Sequence, residues 1–224
     1  MVSGARSTPH QSSDSPTSPV VYIVDDDESM RVALGGLLRS IGLRVEEFES
    51  PADFLAFPKS AGPSCLILDV RLRGESGLTL QQEIAKTGLQ IPILFITGYG
   101  DIEMCVRAMK AGALDFIPKP FRDQDMLDAV SRALKRDVER LATEQSRTDV
   151  RASYSSLTPR ERDVLGFVVA GLMNKQIASE MDLSENTVKI HRGQVMKKMR
   201  ARSVADLVRM AEAIQVAPSV PKSR

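Results

Sequence analysis

Short apolar runs alternate with segments of helical periodicity through the first part of the chain, and this alternation constrains the fold more than any other feature. The five runs cover residues 20–24, 44–48, 65–68, 92–97 and 113–117. Apolar residues recur at helical spacing over 28–41, 51–57, 77–86, 101–110 and 123 to about 141. Strands that alternate with helices form a parallel sheet, because each helix carries the chain back across one face. We therefore predict an α/β fold with a doubly wound, five-stranded parallel sheet in the order 2-1-3-4-5.

A second apolar rhythm begins at Leu157 and predicts a small all-α domain. Thr158 is placed to cap a helix that has Pro159 at its first position, and Glu161 completes a capping box. Gly171 should end this helix after residue 170. Three further helices are predicted over 174–181, from the cap at 184 to about 200, and from the cap at 203 to about 214.

These patterns divide the 224-residue chain into two domains. The predicted segments are a disordered tail over 1–19, the α/β domain over 20–135, a helical extension and linker over 136–156, the all-α domain over 157–217 and a disordered tail over 218–224. Residues 20–121 carry ten Lys or Arg against fourteen Asp or Glu, whereas residues 157–212 carry ten against seven. The second domain is therefore the basic one.

Cysteine usage and hydropathy indicate where the protein works. Cys65 and Cys105 lie inside apolar patterns without the spacing of a zinc site, so we expect buried structural thiols in a reducing compartment. No apolar run approaches the roughly 18 residues of a membrane span, and the first residues lack the features of a secretory signal. We therefore expect a cytoplasmic protein with no membrane attachment.

Carboxylates follow two of the predicted strands. Asp25 and Asp26 come directly after the first apolar run, and Asp69 follows the third. In the predicted order these strands are neighbours at the switch point of the sheet, beyond whose carboxyl ends ligands bind. Carboxylate oxygens at adjacent strand ends suit Mg²⁺, and one carboxylate can act as a nucleophile toward a phosphoryl group. Asp69 is the candidate nucleophile.

Polar residues also end the fourth and fifth strands, where Thr97 and Lys119 could hold phosphoryl oxygens. Taken singly, an Asp at a strand end is more often a helix cap or turn former, Lys119 would be a solvated charge, and Thr97 a turn residue. The joint placement of such residues at four strand ends favours the metal and phosphoryl interpretation.

The motifs at these strand ends resemble the CheY-like receiver domain of two-component response regulators, over about residues 20–135. They are Val24-Asp25-Asp26-Asp27, Leu68-Asp69-Val70-Arg71, Ile96-Thr97-Gly98 and Lys119-Pro120-Phe121. The resemblance implies that Asp69 accepts a phosphoryl group from a sensor histidine kinase. It also implies that Asp25, Asp26, Asp69 and the backbone carbonyl of Arg71 arrange Mg²⁺.

The same resemblance gives roles to residues around the phosphoryl group. Thr97 and Lys119 would contact its oxygens, and Phe116 matches an aromatic switch position whose ring turns inward, although a Phe there is a core residue in either case. Two residues depart from the family pattern. Arg73 stands where many receivers have Pro, which should loosen the loop and add a cation near the site. Pro118 directly precedes Lys119, whose bond to the following Pro is cis in the family.

The predicted helix after Ser184 separates apolar from basic residues. One side holds Val188, Arg192, Val195 and Met199, and the other holds Lys189, Ile190, Gly193, Gln194, Lys197 and Arg200. Cations on such a face can pair with DNA phosphates, and Ile190 can contact the methyl group of a thymine. A charged stripe alone is usually a solvated face, but the short helix and tight turn before it favour a DNA-binding helix-turn-helix.

Residues 157–215 resemble the LuxR-type helix-turn-helix of the FixJ/NarL regulators. The motifs are Leu157-Thr158-Pro159-Arg160-Glu161-Arg162, Asn174-Lys175-Gln176-Ile177-Ala178 and Thr187-Val188-Lys189-Ile190-His191. The resemblance implies that the base-facing positions are Lys189, Ile190 and Gly193, and that the positions toward the DNA backbone are Thr187, Lys175 and His191. Gly193 has no side chain to read a base, so direct recognition of bases must depend on Lys189 and on Arg192 or Gln194. His191 is equally compatible with a packed helix residue.

Together these resemblances predict a FixJ-like response regulator. Phosphorylation of Asp69 would shift the receiver toward a form that dimerises through the face of residues 101–116 and would free the basic domain for DNA. The last helix resembles the family's dimerisation surface, although its apolar residues are equally compatible with core. The implied partners are a sensor histidine kinase, double-stranded DNA, RNA polymerase and a second copy of the chain.

Two other functions compete with this one. An aspartyl phosphohydrolase that resembles the haloacid dehalogenases would need a second Asp two residues after Asp69, where Arg71 stands instead. A phosphorylation-independent DNA-binding protein could use the receiver only as a scaffold. The complete acidic pair together with Thr97 and Lys119 argues against that alternative.

Overall fold

The computed structural model describes residues 18–98 and 102–219, apart from the side chains of residues 75 and 102. Most of the two predicted tails, and Asp101 at the start of the fourth predicted helix, therefore lie outside the described residues. The chain divides into two compact units between Leu141 and Ala142.

The first unit contains the predicted parallel sheet. Its strands are β1 (Val20–Val24), β2 (Arg44–Phe48), β3 (Ser64–Asp69), the short pair β4 (Arg71–Leu72) and β5 (Glu75–Ser76), then β6 (Ile93–Thr97) and β7 (Asp115–Pro118). Its helices are α1 (Glu28–Ser40), α2 (Pro51–Ala56), α3 (Gly77–Thr87), α4 (Ile102–Lys110) and the beginning of α5. The sheet order is β2-β1-β3-β6-β7 with every pair parallel, which confirms the predicted fold.

Alternate residues of each central strand enter two separate apolar layers, because side chains of a strand point to opposite faces. In β1, Val21 and Ile23 pack with residues of α1 and α5, whereas Val20, Tyr22 and Val24 pack with residues of α2 and α3. Both faces of the sheet are thus covered, and its functional groups are confined to the strand ends.

The β4–β5 hairpin was not predicted from the sequence. Arg71 pairs with Ser76 and Leu72 with residue 75, and Gly74 makes the turn with a φ of +82°. A positive φ at the turn is readily adopted only by glycine. Two-residue strands are too short to produce a recognisable periodicity, so the sequence pattern did not distinguish this segment from a loop.

The prediction that the helix from residue 123 ends near 141 was wrong, because α5 (Asp123–Ser155) runs for 33 residues. The stretch that we expected to fade into a linker contains no Gly or Pro, and about half of its residues are good helix formers. Side-chain pairs one turn apart, such as Gln145 with Asp149 at 2.9 Å, add support on its surface. The weak apolar periodicity of this stretch therefore indicated an exposed continuation of α5 rather than the end of the helix.

The second unit is all-helical, with α6 (Pro159–Val169), α7 (Asn174–Met181), α8 (Glu185–Met199) and α9 (Val204–Ala213) after the end of α5. The capping box of Thr158 and Glu161 is present as predicted. Asp182 adopts the left-handed conformation after α7, and the side chain of Ser184 caps α8. These local signals produce a tight turn between α7 and α8.

Cys65 and Cys105 carry thiols rather than a disulfide, but only one of them is fully buried. Burial raises the pKa of Cys65, which suits a structural thiol. Cys105 lies half-buried on α4, so the expectation of burial was too strong for it. Within residues 18–98 and 102–219, no helix combines the length and apolar character needed to cross a membrane.

Candidate phosphoryl and nucleic-acid sites

The carboxyl edge of the sheet brings Asp25, Asp69 and Lys119 into direct contact. Asp25 follows β1 and Asp69 ends the adjacent β3, where Val24 lies opposite Leu68. The Lys119 Nζ donates to Asp25 Oδ2 at 2.9 Å and to Asp69 Oδ2 at 2.6 Å. Asp25 is fully buried and Asp69 is 7% exposed, so one ammonium group bridges two carboxylates in a largely water-excluded place.

Burial and pairing act in opposite directions on these groups. Burial raises the pKa of Asp25, while the hydrogen bond from Lys119 opposes the shift. Burial acts to lower the pKa of Lys119, but its hydrogen bonds to Asp69 and Asp25 outweigh burial and raise the pKa. Lys119 is therefore held in its charged form, and it offsets part of the cost of burying the carboxylate of Asp25.

Backbone groups fix the orientation of both carboxylates. Asp25 Oδ1 accepts from the amide of Asp27, and Asp69 Oδ1 accepts from the amide of Arg71, each at 2.9 Å. The guanidinium of Arg31 donates to the carbonyl of Asp25 at 2.6 Å. Sequence reasoning missed Arg31, because a cation in the first turns of a helix has many ordinary uses.

Asp26 is held by the residue that departs from the family pattern. Arg73 Nε lies 3.1 Å from Asp26 Oδ2, and the Arg73 side chain is 81% exposed. The expectation that Arg73 adds a cation beside the site is confirmed. The β4–β5 hairpin presents this side chain, since Arg73 occupies its turn.

Gly77, the first residue of α3, packs directly on the backbone of Asp69. A Cβ at this position would lie 2.2 Å from the carbonyl oxygen of Asp69. The Gly77 amide donates to the carbonyl of Val70 at 2.9 Å, which holds the start of α3 against the end of β3. The requirement for glycine was invisible in the sequence, because it depends on a contact between two elements.

Thr97 and Phe116 lie on the neighbouring strands β6 and β7. Thr97 is fully buried, its carbonyl accepts from the amide of Lys119 at 2.6 Å, and it lies opposite Pro118. The sheet tolerates Pro118 because β7 is an edge strand, where a missing N–H leaves no partner unsatisfied. Phe116 is partly buried, with its ring centroid 6.4 Å from that of Phe95. The Lys119–Pro120 peptide bond is cis.

The donor set at this edge fits a hard divalent cation. Asp25, Asp26 and Asp69 offer only oxygen, and Mg²⁺ needs few protein ligands because it keeps several waters. Among the described residues, no three or more His, Cys, Asp or Glu side chains form a closed metal cluster. Instead Lys119 and Arg73 bond to these carboxylates, so a metal here would compete with two side-chain cations.

The helix α8 of the second unit presents a basic exposed face. Its buried residues are Val188, Val195 and Met199, and its exposed residues include Lys189, Ile190, Gly193, Gln194 and Lys197. Arg200, the residue that follows α8, is also exposed. Ile190 is 57% exposed, which is unusual for an isoleucine in a helix that has a core to pack into. Thr187 and His191 are half-buried, and Lys175 is exposed on α7.

Two polar contacts hold α8 against the other helices. Arg192 donates to Asn174 Oδ1 at 2.8 Å, joining α8 to the start of α7. Lys198 donates to Glu161 Oε2 at 2.7 Å, and the same oxygen accepts from the amide of Thr158 at 2.7 Å, which joins α8 to the start of α6. The hydrogen bond from Lys198 and those from Thr158 lower the pKa of Glu161, although burial opposes them.

Comparison with known families and proteins identifies the family of each domain. Residues 21–131 match the response regulator receiver domain, and residues 155–211 match the bacterial regulatory proteins of the luxR family. The chain is similar over most of its length to regulators from several bacteria. Nodulation protein W of Bradyrhizobium diazoefficiens is 52% identical over 200 residues, covering 89% of this chain and 88% of that protein.

Two further relatives are similar to this chain over most of its length and over nearly all of their own. The transcriptional regulatory protein FixJ of Rhizobium meliloti is 43% identical over 203 residues, covering 91% of this chain and 100% of that protein. The solved structure of the response regulator StyR is similar with a TM-score of 0.77 at 46% identity, covering 88% of this chain and 99% of that one.

Proposed function

Because this chain belongs to the response regulators that join a receiver domain to a LuxR-family DNA-binding domain, we propose that Asp69 is its phosphoacceptor and that α8 reads its DNA target. The chain is a phosphorylation-dependent transcription regulator rather than an enzyme. Nothing in its relatives favours the phosphohydrolase or the scaffold alternative.

The observation that carries the phosphoryl assignment is the bridge from Lys119 to Asp25 and Asp69. In the proposed step, an oxygen of Asp69 bonds to phosphorus while the bond from phosphorus to the histidine nitrogen of the sensor kinase breaks. The nitrogen keeps the bonding electron pair. Lys119 stays beside the transferred group and balances its charge, and Thr97 closes on the phosphoryl oxygens from the neighbouring strand.

Mg²⁺ is the proposed cofactor, held by the carboxylates of Asp25, Asp26 and Asp69 and by the backbone carbonyl of Arg71. When bound, it supplies positive charge that neutralises the transferring phosphoryl group. Backbone amides orient two of these carboxylates: the amide of Asp27 fixes Asp25, and the amide of Arg71 fixes Asp69. The nucleophile is thus preoriented before the phosphodonor arrives.

The proposed output of phosphorylation is dimerisation through the receiver. Val106 and Met109, three residues apart on α4, are 44% and 46% exposed and form an apolar strip on one side of the helix. Phe116, on the strand that follows α4, would shift with Thr97 and favour the self-associating form. This is a change in population between two states, driven by the charge on Asp69.

In the DNA complex, we assign Lys189 and Ile190 to base edges, with Gln194 beside them. The proposed contacts to the DNA backbone come from Lys175, Thr187, His191 and Lys197. Arg192 is bonded to Asn174, so its role is to position α8 rather than to read a base. We also propose a second copy of the chain as a partner, because paired DNA sites require a dimer. Transcription requires RNA polymerase and a cytoplasmic location, which we propose as well.

An Asp69→Asn substitution tests the proposal in the full chain. The protein is incubated with Mg²⁺ and phosphoramidate, and phosphate uptake is followed by intact mass while self-association is followed by sedimentation. We expect wild-type chain and an exposed-Asp control, Asp128→Asn, to gain one phosphoryl group and dimerise, and Asp69→Asn to do neither. Phosphate uptake by Asp69→Asn would refute the assignment of the acceptor. Uptake by the wild type without dimerisation would refute the proposed output.

A further inference from the structure

The recognition helix α8 carries a glycine in its middle, on its exposed side. Gly193 is preceded by eight and followed by six residues of α8 (Glu185–Met199). Glycine inside a helix lowers helix stability relative to alanine, because it loses more backbone freedom on folding. Gly193 is not among the residues with positive φ, so its backbone conformation is open to any residue.

Packing within the chain does not require this glycine either. A Cβ built at Gly193 meets no atom within 4 Å beyond the helix's own backbone. Two other helical glycines are different: a Cβ at Gly166 would lie 2.2 Å from the Ser219 hydroxyl, and one at Gly35 would lie 2.1 Å from the Glu47 carboxylate. The chain itself therefore offers no reason for glycine at position 193.

The surroundings of Gly193 indicate what does require it. Lys189 lies one turn before it and Lys197 one turn after it, and both are exposed. Ile190 and Gln194 are exposed on the same side. Gly193 thus forms a notch in which the helix backbone is uncovered between two cations, on the side away from the buried Val188 and Val195. A partner that enters such a notch is negatively charged and comes close to the backbone.

We infer that Gly193 is the point of closest approach between α8 and the base edges on the floor of the DNA major groove. The inference rests on the proposed DNA-binding role of α8. Without a side chain at 193, the helix lies deep enough for Lys189 and Ile190 to reach base edges while Lys197 meets the DNA backbone. A single methyl group at 193 holds the helix away and weakens sequence-specific contacts before it weakens contacts to phosphate.

A matched pair of substitutions tests this inference in the full chain phosphorylated with phosphoramidate. Gly193→Ala fills the notch, and Gly36→Ala is the control, because Gly36 is also a helical glycine whose Cβ would meet nothing within 4 Å. Two fluorescent duplexes serve as probes: one enriched from a randomised pool by the wild-type chain, and one unselected duplex of the same length. Binding is followed by anisotropy and stability by circular dichroism during heating.

We expect Gly193→Ala to raise the melting temperature of the DNA-binding unit by roughly 3–6 °C, since alanine is the better helix former. Its affinity for the selected duplex should fall roughly tenfold, which corresponds to loss of about one good base contact. Affinity for the unselected duplex should stay within about twofold. Gly36→Ala should leave both affinities unchanged.

Four results would overturn the inference, and they can be told apart. If Gly193→Ala binds the selected duplex as well as the wild type, position 193 does not approach the bases. If affinity for both duplexes falls equally, the notch faces the DNA backbone instead. If the wild type enriches no sequence, the proposed DNA-reading role of α8 fails with it. A fall in melting temperature would show that the chain itself needs Gly193.

Discussion

The two candidate functional regions are organised in opposite ways. At the sheet edge, the key carboxylates are buried, their orientations are fixed by backbone amides, and a cation from a distant strand bridges two of them. On α8, the cations are exposed and follow one another along a single helix. A covalent site needs each group placed in three dimensions, whereas a surface for polyanionic DNA needs only a regular charged face held at the right angle.

The largest contrast between the regions should follow loss of Lys119. Lys119→Ala leaves Asp25 and Asp69 side by side without their cation, which should lower the unfolding free energy by about 3 kcal/mol without Mg²⁺. Mg²⁺ should restore more stability to this variant than to the wild type, because it replaces the missing charge. Urea denaturation with and without Mg²⁺ measures both effects, with exposed Lys86→Ala as the control. Equal gains from Mg²⁺ in both proteins would contradict a metal site at this edge.

Gly77→Ala should be the next largest effect. Its Cβ would meet the backbone carbonyl of Asp69 at 2.2 Å, so α3 or the end of β3 must move. We expect destabilisation of about 1–3 kcal/mol and slower phosphorylation, because the displaced group is the backbone of the proposed phosphoacceptor. Chemical denaturation and the rate of phosphate uptake by intact mass test this, and open-space Gly36→Ala should leave uptake unchanged and stabilise the fold slightly, since alanine is the better helix former. If Gly77→Ala is destabilised but takes up phosphate at the normal rate, the contact of Gly77 serves folding and does not orient Asp69.

In the second unit, Glu161→Gln should flatten the acid dependence of stability. The pKa of Glu161 lies below its ordinary value of 4.5, first because of Lys198. A carboxyl with a lower pKa in the folded state stabilises the fold fully above the unfolded pKa. That stabilisation disappears as pH falls through the folded pKa, so wild type should lose more stability than Glu161→Gln below about pH 4.5.

Melting of the DNA-binding unit between about pH 3 and 6 measures this difference. Glu185→Gln, which removes an exposed carboxylate of α8, is the control. The amide side chain introduced by Glu161→Gln keeps an oxygen for the amide of Thr158, so the comparison isolates the charge paired with Lys198. Parallel pH profiles for wild type and Glu161→Gln would show that this pair does not stabilise α8.

The smallest expected effect is an increase in the affinity for Mg²⁺. Arg73→Ala removes an exposed cation that lies 3.1 Å from Asp26. Because an exposed ion pair contributes only about 0.2–1 kcal/mol, we expect the affinity for Mg²⁺ to rise by roughly two- to fivefold. Titration calorimetry in the absence of a phosphodonor gives this number directly. Arg132→Ala, which breaks an ion pair with Asp115 at the start of β7, is the matched control. Unchanged Mg²⁺ affinity would remove Asp26 from the metal site.

The local signals of the sequence predicted most of the fold correctly. Alternation of strand and helix patterns led to the observed sheet order, and the capping box of Thr158 and Glu161 marked the start of α6. The one large error, the end of α5, arose because an exposed helix leaves little apolar pattern, although the absence of Gly and Pro up to residue 155 was available as a signal.

Sequence alone determined the two-domain order, the class of each domain and the residue types at the strand ends, because caps, periodicity and turn residues act over a few neighbouring positions. Tertiary structure decided that Lys119 reaches across 94 residues to Asp25 and across 50 to Asp69. It also decided that Gly77 is pressed against Asp69 while Gly193 faces open space. These contacts depend on how whole elements pack, and two glycines that look alike in a sequence are distinguished only by what surrounds them.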